Sequence, residues 1–532
     1  MLSDTEFLKS FELLRSASKL GIKVTLQNDR LIVKAPKHAS ANTAVLSAIR
    51  LNQQIIVEFL SSTEGRAVPG HAAEEQLSKF ENGQVNLCGH VTPVQLYWLD
   101  SRIDTEYKRL SASHGSIITI LKLEGFIDET VLQQSVMYLL ERHESLRTIF
   151  LRQQEDYMMQ LLPARLDLFY KSYACEEQAP GETSYLDIVE FNGHHFDTSA
   201  GPLFIIRFVR VGSGVQMLAV KIHHVIADTA SLNILRRDLL VAYQSFSAQK
   251  EPVLPALHGQ YGDHLKRQNV LAQLKWQADK EFWESLYERL PVRLYLPAKN
   301  LKERLLQQVV FQICSPVADG LKRLAGKYKT TLFIVVQAAF KYFLGKEMGV
   351  FDILIGTYVS GRDKAEYSQQ IGCYAKTMLI RSVFSSLQVF EEVVEIVKKA
   401  NRDMYEHQAY TLRNRLEHLQ PAGHNTGSAF WDINLQFSNQ PGSDFFTTQS
   451  PPPDAGSSFR TTIIEKRVNE VPVIPIILQL NFSVIDKKMY LKTEYDTSVF
   501  NPQTISSFLG KFQAYMEKIV AENDPGLLPG SN

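Results

Sequence analysis

The amino-acid sequence predicts an α/β protein, on the basis of two stretches of the chain. Residues 215–220 form an apolar, partly β-branched run that is typical of a buried strand, and Leu232, Leu235 and Leu239 then recur at helical spacing. Near the N-terminus, a helical stripe, two short alternating segments and a second helical stripe follow one another. Strand and helix patterns that alternate in this way favour sheets covered by helices.

Two histidines, His223 and His224, stand where the strand over 215–220 should end, and Asp228 follows four residues after the second. A short side-chain oxygen can accept a hydrogen bond from a free amide at a helix start, so Asp228 or Ser231 can cap the next helix. The residues alone leave three interpretations open: purely structural histidines, a catalytic pair, or a His-His-Asp metal site. No further Cys, His or carboxylate cluster lies nearby in the sequence to complete a coordination shell, so we expect no metal.

The composition indicates a globular protein without a nucleic-acid or membrane partner. Lys plus Arg and Asp plus Glu are balanced at 57 each, which argues against nucleic-acid binding. The most apolar run, residues 471–480, is too short to span a bilayer, and no signal-peptide pattern is visible. The four cysteines are far apart and form no CxxC motif, as expected for a reduced, cytoplasmic protein. We further expect a monomer.

The N-terminal region, residues 1–62, predicts an independent αββαα unit. Its two strands are separated by turn residues and carry exposed charge at both ends. The unit has eight Lys and Arg against five Asp and Glu, an excess of three positive charges that suits an acidic peptide partner. Residues 63–90, with Pro, several Gly and mixed charge, predict a linker.

The motifs that follow resemble those of one family along nearly the whole remaining chain. Together with HHxxxD at 223–228, they resemble the condensation domains of non-ribosomal peptide synthetases, which belong to the chloramphenicol-acetyltransferase-like superfamily. The matching blocks are 92–99 (SxAQxRLW, with Tyr97 for Arg), 142–150 (RHExLRTxF), 261–263 (the start of YxDYA), 355–362 (IGxPVxGR) and 371–377 (IGxFVNT).

This resemblance implies two acyltransferase-like lobes, residues 91–260 and 261–525, arranged as a V-shaped pseudo-dimer. A donor and an acceptor carrier protein would each deliver a substrate on a phosphopantetheine arm, so no cofactor of the chain's own is implied. An amine would attack the donor thioester to give an amide. His224 would act as general base or orient the amine, His223 would orient the loop, and Asp228 would form a structural ion pair, for which we favour Arg142 as the partner.

Two departures from the family pattern stand near the predicted site. Thr229 replaces a glycine, so either the loop turns differently or Thr229 caps the helix, and Lys376 replaces an asparagine. The resemblance places further residues at the substrate tunnel or lobe interface, namely Thr229, Ser231, Arg147, Arg362, Gly372 and Lys376. The departures leave an inactive recruiter of carrier proteins as an alternative. An epimerisation domain and an acyltransferase that uses coenzyme A are two others.

The αββαα order of residues 1–62 resembles the TubC-type docking domains of peptide synthetases. That resemblance implies an upstream synthetase whose C-terminal docking peptide binds the hairpin, and the chain would be free-standing or the start of a longer synthetase. The predicted docking residues are Lys23, Val24, Leu26, Arg30, Leu31, Val33 and Lys34. An unrelated small helical cap is the alternative.

Overall fold

The computed structural model describes most of the chain between residues 4 and 524. The described residues are 4–20, 22–27, 30–35, 43–61, 91, 95, 99, 115–124, 127–153, 156–175, 189–191, 194–211, 215–287, 306–408, 433–438, 460–468, 477–485, 487–497 and 499–524. The predicted linker 63–90 and the departure at Tyr97 lie outside these residues.

The described secondary structure alternates helices with strands, which confirms the predicted α/β class. The helices are α1 (Asp4–Lys19), α2 (Thr43–Leu51), α3 (Gln53–Ser61), α4 (Glu129–Arg142), α5 (Leu166–Phe169), α6 (Thr229–Ser247), α7 (Tyr261–Tyr287), α8 (Ser315–Lys327), α9 (Leu332–Met348), α10 (Phe390–Glu406) and α11 (Pro502–Asn523). The strands are β1 (Lys23–Gln27), β2 (Arg30–Lys34), β3 (Ser116–Glu124), β4 (Thr148–Gln153), β5 (Asp156–Leu161), β6 (Tyr170–Cys175), β7 (Phe204–Val211), β8 (Val215–His223), β9 (Leu306–Ile313), β10 (Asp352–Val359), β11 (Lys376–Val383), β12 (Ile433–Ser438), β13 (Arg460–Val468), β14 (Leu478–Ile485) and β15 (Lys488–Asp496).

The first lobe is built on a five-stranded sheet with the order β13-β3-β8-β7-β6. Helices α4 and α6 cover one face of it and share a single apolar core with β3, β7 and β8. Strand β13 comes from residues 460–468, which the sequence-based division at residue 260 assigns to the second lobe. The strand nevertheless pairs with β3 in the sheet of the first lobe. The sheet therefore ties the two halves of the sequence together.

The second lobe is built on a six-stranded sheet with the order β11-β10-β12-β14-β15-β9. Helices α8, α9, α10 and α11 contribute to one large core with this sheet. Helix α7 packs on the sheet through Trp283, which is 1% exposed and contacts residues of β10 and β11. No helix among the described residues is long and apolar enough to cross a membrane.

The N-terminal αββαα unit that the sequence predicts lies against α7. Its own core contains Ile22 and Ile56, but Phe11 and Phe59 pack instead against Val270 and Leu271 of α7. Phe59 and Val270 are both fully buried. Burying apolar surface is favourable in proportion to its area, so this interface stabilises one orientation of the unit.

Candidate functional site

The two histidines lie at the end of strand β8, whose side chains alternate between the two faces of the sheet. Leu218, Val220 and Ile222 point into the core beneath α4 and α6. Residues two apart share a face, so Lys221 and His223 lie together on the opposite side. His224 then occupies the first turn position after the strand.

Hydrogen bonds hold the backbone of this turn. The amide of His224 donates to the carbonyl of Gly115 at 2.8 Å, and the amide of Val225 donates to Nδ1 of His223 at 3.0 Å. Nε2 of the buried Gln95 donates to the carbonyl of Val225 at 2.9 Å. Sequence reasoning placed Gln95 in a motif but gave it no role, and the structure shows that it anchors the histidine turn from a distant part of the chain.

Both histidines are buried, at 9% and 7% exposure for His223 and His224. Burial lowers the pKa of His224 to about 4, although the backbone of Ala227 and the charge of Asp228 act in the opposite direction. Burial also lowers the pKa of His223 to about 3, with His224 and Lys221 adding to the effect. Both imidazoles are therefore neutral near pH 7, and each can accept a hydrogen bond.

Asp228 caps α6 in a reciprocal arrangement with Ser231. The amide of Ser231 donates to Oδ1 of Asp228 at 2.8 Å, and the amide of Asp228 donates to Oγ of Ser231 at 3.3 Å. Thr229 is the first residue of the helix and has a φ below zero, so the loop does not require a glycine there. The alternative that Thr229 itself is the cap is wrong, because Asp228 occupies that position.

Asp228 also joins the two lobes. Its Oδ1 lies 2.8 Å from Nη2 of Arg362, and its Oδ2 accepts from the amide of Tyr374 at 3.2 Å. The same Arg362 nitrogen donates to Oγ of Ser231 at 3.0 Å. The side chains of Asp228 and Arg362 are only 8% and 9% exposed. We call Asp228, Ser231, Arg362 and Tyr374 the inter-lobe clasp.

The predicted pairing of Asp228 with Arg142 is therefore wrong. Nε of Arg142 lies 3.1 Å from Oδ2 of Asp238, a buried carboxylate of α6, and Nε2 of His143 lies 2.9 Å from the same oxygen. Arg147 donates instead to the carbonyls of Leu140 and Leu162. The two arginines of the RHExLRTxF block thus hold the first lobe together, whereas the cation of the clasp comes from the later IGxPVxGR block.

Two glycines allow close packing within the second lobe beside the clasp. Gly372 accepts from the amide of Asp228 at 3.2 Å, and a Cβ there would overlap the ring of Tyr261. Gly361 has a φ of +62°, and a Cβ there would overlap the backbone of Tyr374. A larger side chain at either position would therefore disturb the part of the second lobe that supplies Arg362 and Tyr374 to the clasp.

Lys376 stands at the start of β11, where the family pattern has asparagine. Its Nζ donates to Oε1 of Gln268 on α7 at 3.1 Å, and burial lowers its pKa. One turn before Gln268 on α7, His264 is enclosed by three rings at centroid distances of 4.6 to 5.7 Å, those of Tyr261, Tyr367 and Tyr374. Lys376 therefore adds a contact between α7 and the second sheet.

The predicted docking residues lie on the two-stranded sheet of the N-terminal unit. The strands are antiparallel with Lys23 opposite Lys34, and Arg30, Val33 and Lys34 are exposed. By contrast, Val24, Leu26 and Leu31 are half-buried, and Val24 and Leu31 pack against the core of the unit. The hairpin therefore offers backbone edges and charge, with little free apolar surface.

Comparison with known proteins identifies the family. A family model described as the condensation domain matches residues 107–526. This chain belongs to the condensation-domain family. The resemblance to condensation domains of non-ribosomal peptide synthetases that the motifs predict is thereby confirmed. Within the described residues, no group of three or more His, Cys, Asp or Glu side chains could hold a metal ion.

Relatives of this condensation domain include a much larger protein and two solved structures. It is 26% identical to the dimodular nonribosomal peptide synthase of Bacillus subtilis (strain 168) over 430 residues, which is 77% of this chain but only 17% of that protein. It superposes on the X-domain from teicoplanin biosynthesis with a TM-score of 0.67 at 20% identity, covering 82% of this chain and 96% of that one. For the epimerization domain from the third module of tyrocidine synthetase B, the TM-score is 0.60 at 19% identity, with coverage of 82% and 98%.

Proposed function

We propose that this condensation domain forms an amide bond between an acyl or peptidyl thioester and an amine, both delivered by carrier proteins. The amine nitrogen attacks the thioester carbonyl carbon, the carbon–sulfur bond breaks, and the phosphopantetheine arm leaves as a thiol. One proton passes from nitrogen to sulfur, so the reaction needs no further reactant. The observation that carries the proposal is the buried, neutral His224 beside the inter-lobe clasp.

Burial lowers the pKa of His224 to about 4, so its imidazole is neutral when the amine attacks. It can accept a hydrogen bond from the attacking amine and carry the proton towards the departing sulfur. Orienting the two ends supplies much of the acceleration in reactions of this kind. His223, whose Nδ1 accepts from the amide of Val225, shapes the turn.

The test is amide formation from a loaded donor and acceptor carrier, with the product measured by mass spectrometry. We expect His224→Ala to lower the rate by about 10²- to 10⁴-fold, in proportion to the usual contribution of a positioned proton-transfer group. His258, which is exposed, provides the matched control, and His258→Ala should retain the wild-type rate. Full activity in a folded His224→Ala protein would remove His224 from the mechanism.

A recruiting module without chemistry is the second candidate, because the solved structures that share this fold include the X-domain from teicoplanin biosynthesis in complex with another protein, OxyB. The same reconstitution separates the two. A recruiter would bind the carriers and form no amide, and His224→Ala would leave binding unchanged. Epimerisation is a third candidate activity, because an epimerization domain shares this fold. Chiral analysis of the donor residue, in a reaction without the acceptor, would detect it.

We also propose that the β1–β2 hairpin binds a C-terminal peptide of an upstream synthetase. Among the described residues, neither edge of this two-stranded sheet pairs with a further strand, and an unpaired edge can accept one. Arg30 and Lys34 are exposed and would attract an acidic peptide. A contact this small suits micromolar affinity, about −8 kcal/mol.

Calorimetry of the full chain against C-terminal peptides of candidate upstream proteins tests the docking proposal. Arg30→Glu with Lys34→Glu should weaken binding, and binding should weaken with added salt. Arg50, exposed on α2, gives the control, and Arg50→Glu should bind like the wild type. Equal binding by all three proteins would exclude the hairpin.

A further inference from the structure

Lys221 is a buried cation on the back of the strand that carries the histidines. It is 2% exposed, and its ammonium donates to the carbonyls of His194 at 2.6 Å and Phe191 at 3.1 Å. The same group lies 5.6 Å from the ring centroid of Phe196 and 5.8 Å from that of Phe191. We call residues 189–191 and 194–197, which lie over this face of β8, the strap.

The strap in turn contacts the histidine turn. The ring of Phe196 meets the imidazole of His223 edge to face at a centroid distance of 5.9 Å. On the other side, Phe196 packs against His194, with the centroids 5.0 Å apart. The imidazole of His223 accepts from the amide of Val225 at 3.0 Å, and this bond sets the backbone just after His224. A continuous set of contacts thus leads from Lys221 to His224.

We propose that Lys221 is a positioning residue for His224. It holds the strap in place, the strap fixes the imidazole of His223 through Phe196, and His223 fixes the turn that presents His224. The inference rests on the proposed catalytic role of His224. Neither the family motif nor the sequence pattern around the histidines assigns a function to Lys221.

The chemistry of the group supports this assignment. An ammonium has three donors and no acceptor, and in the described part of the chain it binds two carbonyls and two ring faces. Methionine has a similar length but no donor, so Lys221→Met would remove the ammonium from both carbonyls, leaving that of Phe191 with the longer bond from the amide of His194 at 3.4 Å, and would loosen the strap. The loosening should disturb His223 and His224 more than the remainder of the sheet.

A second buried lysine provides a matched control. Lys341 lies in the second lobe, is 0% exposed, and donates to the carbonyl of Ile380 and to Oγ of Ser382, both at 2.8 Å. Lys341→Met removes the same kind of buried ammonium without touching the strap. Any effect common to both variants is a cost of losing a buried lysine, and only an effect specific to Lys221→Met bears on positioning.

The experiment compares kcat and KM for amide formation with the rate at which diethyl pyrocarbonate labels individual histidines, mapped by mass spectrometry. For Lys221→Met we expect kcat to fall by at least about tenfold, with KM little changed and labelling of His223 and His224 accelerated. Lys341→Met should match the wild type in kcat and in labelling. If Lys221→Met does not fold, Phe196→Leu tests the same link, because it keeps an apolar strap and removes the ring beside His223.

The two hypotheses fail in different ways. Wild-type kcat and wild-type labelling in folded Lys221→Met or Phe196→Leu would overturn the positioning role while leaving His224 as a candidate. Full activity of His224→Ala would remove His224 from the mechanism without contradicting amide formation, and the labelling rates would still report whether Lys221 orders the turn. Equal acceleration of labelling in Lys341→Met would show a general loosening and would also overturn the inference.

Discussion

Asp228 and Arg362 are 134 positions apart in the sequence and belong to different lobes, yet Oδ1 of the first lies 2.8 Å from Nη2 of the second. The carboxylate simultaneously caps α6, the helix that follows the histidine turn. One side chain therefore fixes both the start of that helix and the contact between the lobes. The geometry of the site depends on the two lobes staying together at this point.

Arg362→Met should destabilise the protein by about 3–5 kcal/mol, because it leaves the buried carboxylate of Asp228 without its cation. Asp228→Asn should destabilise the protein less, since the side-chain oxygen of asparagine can still accept a hydrogen bond from the backbone amide of Ser231. Chemical denaturation monitored by circular dichroism gives both values. The control is Asp167→Asn, which breaks an exposed ion pair with Arg165 and should leave the stability close to that of the wild type. Equal costs for Arg362→Met and Asp167→Asn would contradict a buried clasp.

The sequence could predict that Asp228 needs a cation but could not identify it, and the family resemblance favoured the wrong arginine. Two arginines stand in the RHExLRTxF block and one in IGxPVxGR, and the pattern says nothing about which lobe supplies the partner. Arg142 lies at the end of α4, where the adjacent helix α6 presents Asp238, so packing between these helices decides its partner. The helix after β8, the αββαα order and the position of the histidines followed from local patterns, because these depend on neighbouring residues.

Other features had no local signal. Lys221 reads as a polar residue in a strand, and only the strap on the far side of the sheet shows why a cation is buried there. Likewise, the contact of Phe11 and Phe59 with α7 could not be separated from an ordinary apolar stripe within the unit. Both depend on segments that the fold brings together from far along the chain.

Thr229→Gly should destabilise the protein by up to about 1 kcal/mol. Thr229 already has helical backbone angles, so glycine gains nothing at the turn and loses more conformational freedom on folding. Thermal unfolding of Thr229→Gly and Thr229→Ala, at equal protein concentration, measures this. A higher melting temperature for Thr229→Gly than for the wild type would show that the turn prefers a glycine.

His264→Phe should stabilise the protein, and by more at pH 5 than at pH 7. Both ring nitrogens of His264 are buried without a hydrogen-bond partner among the described residues, and such groups cost about 1–3 kcal/mol. Burial and the charges of Lys376, Arg267 and Arg362 hold the pKa of His264 well below its usual value. Below about pH 6.5 the unfolded chain binds a proton there that the folded protein does not, so the wild type loses stability as pH falls.

Melting temperatures of His264→Phe and the wild type at both pH values measure this difference. The control is His258→Phe, in which an exposed histidine is replaced. That variant measures the effect of replacing a histidine by phenylalanine outside the buried aromatic cluster. A constant difference between His264→Phe and the wild type from pH 7 to pH 5 would mean that His264 takes up its proton in the folded state.

Val270→Asp should release the N-terminal unit from α7. The aspartate would place a charge in the fully buried contact with Phe11 and Phe59, and a buried charge without a partner is strongly unfavourable. Hydrogen exchange should therefore speed up in α1 and α3 while the second-lobe helix α9 keeps its protection. Leu51→Asp is the control, because Leu51 is 85% exposed on α2. Unchanged exchange in Val270→Asp would show that the unit holds to α7 by other contacts.

Helix α7 limits how this protein can be recombined with others. A chimaera that exchanges only residues 1–62 would place foreign helices against Val270 and Leu271. The new unit would be covalently joined to the chain but would lack the apolar contact that fixes its orientation on α7. The same helix reaches the clasp through Tyr261, whose hydroxyl donates to the carbonyl of Cys373 at 2.7 Å. A chimaera that replaces the N-terminal unit should therefore transplant it together with the surface of α7 that it covers.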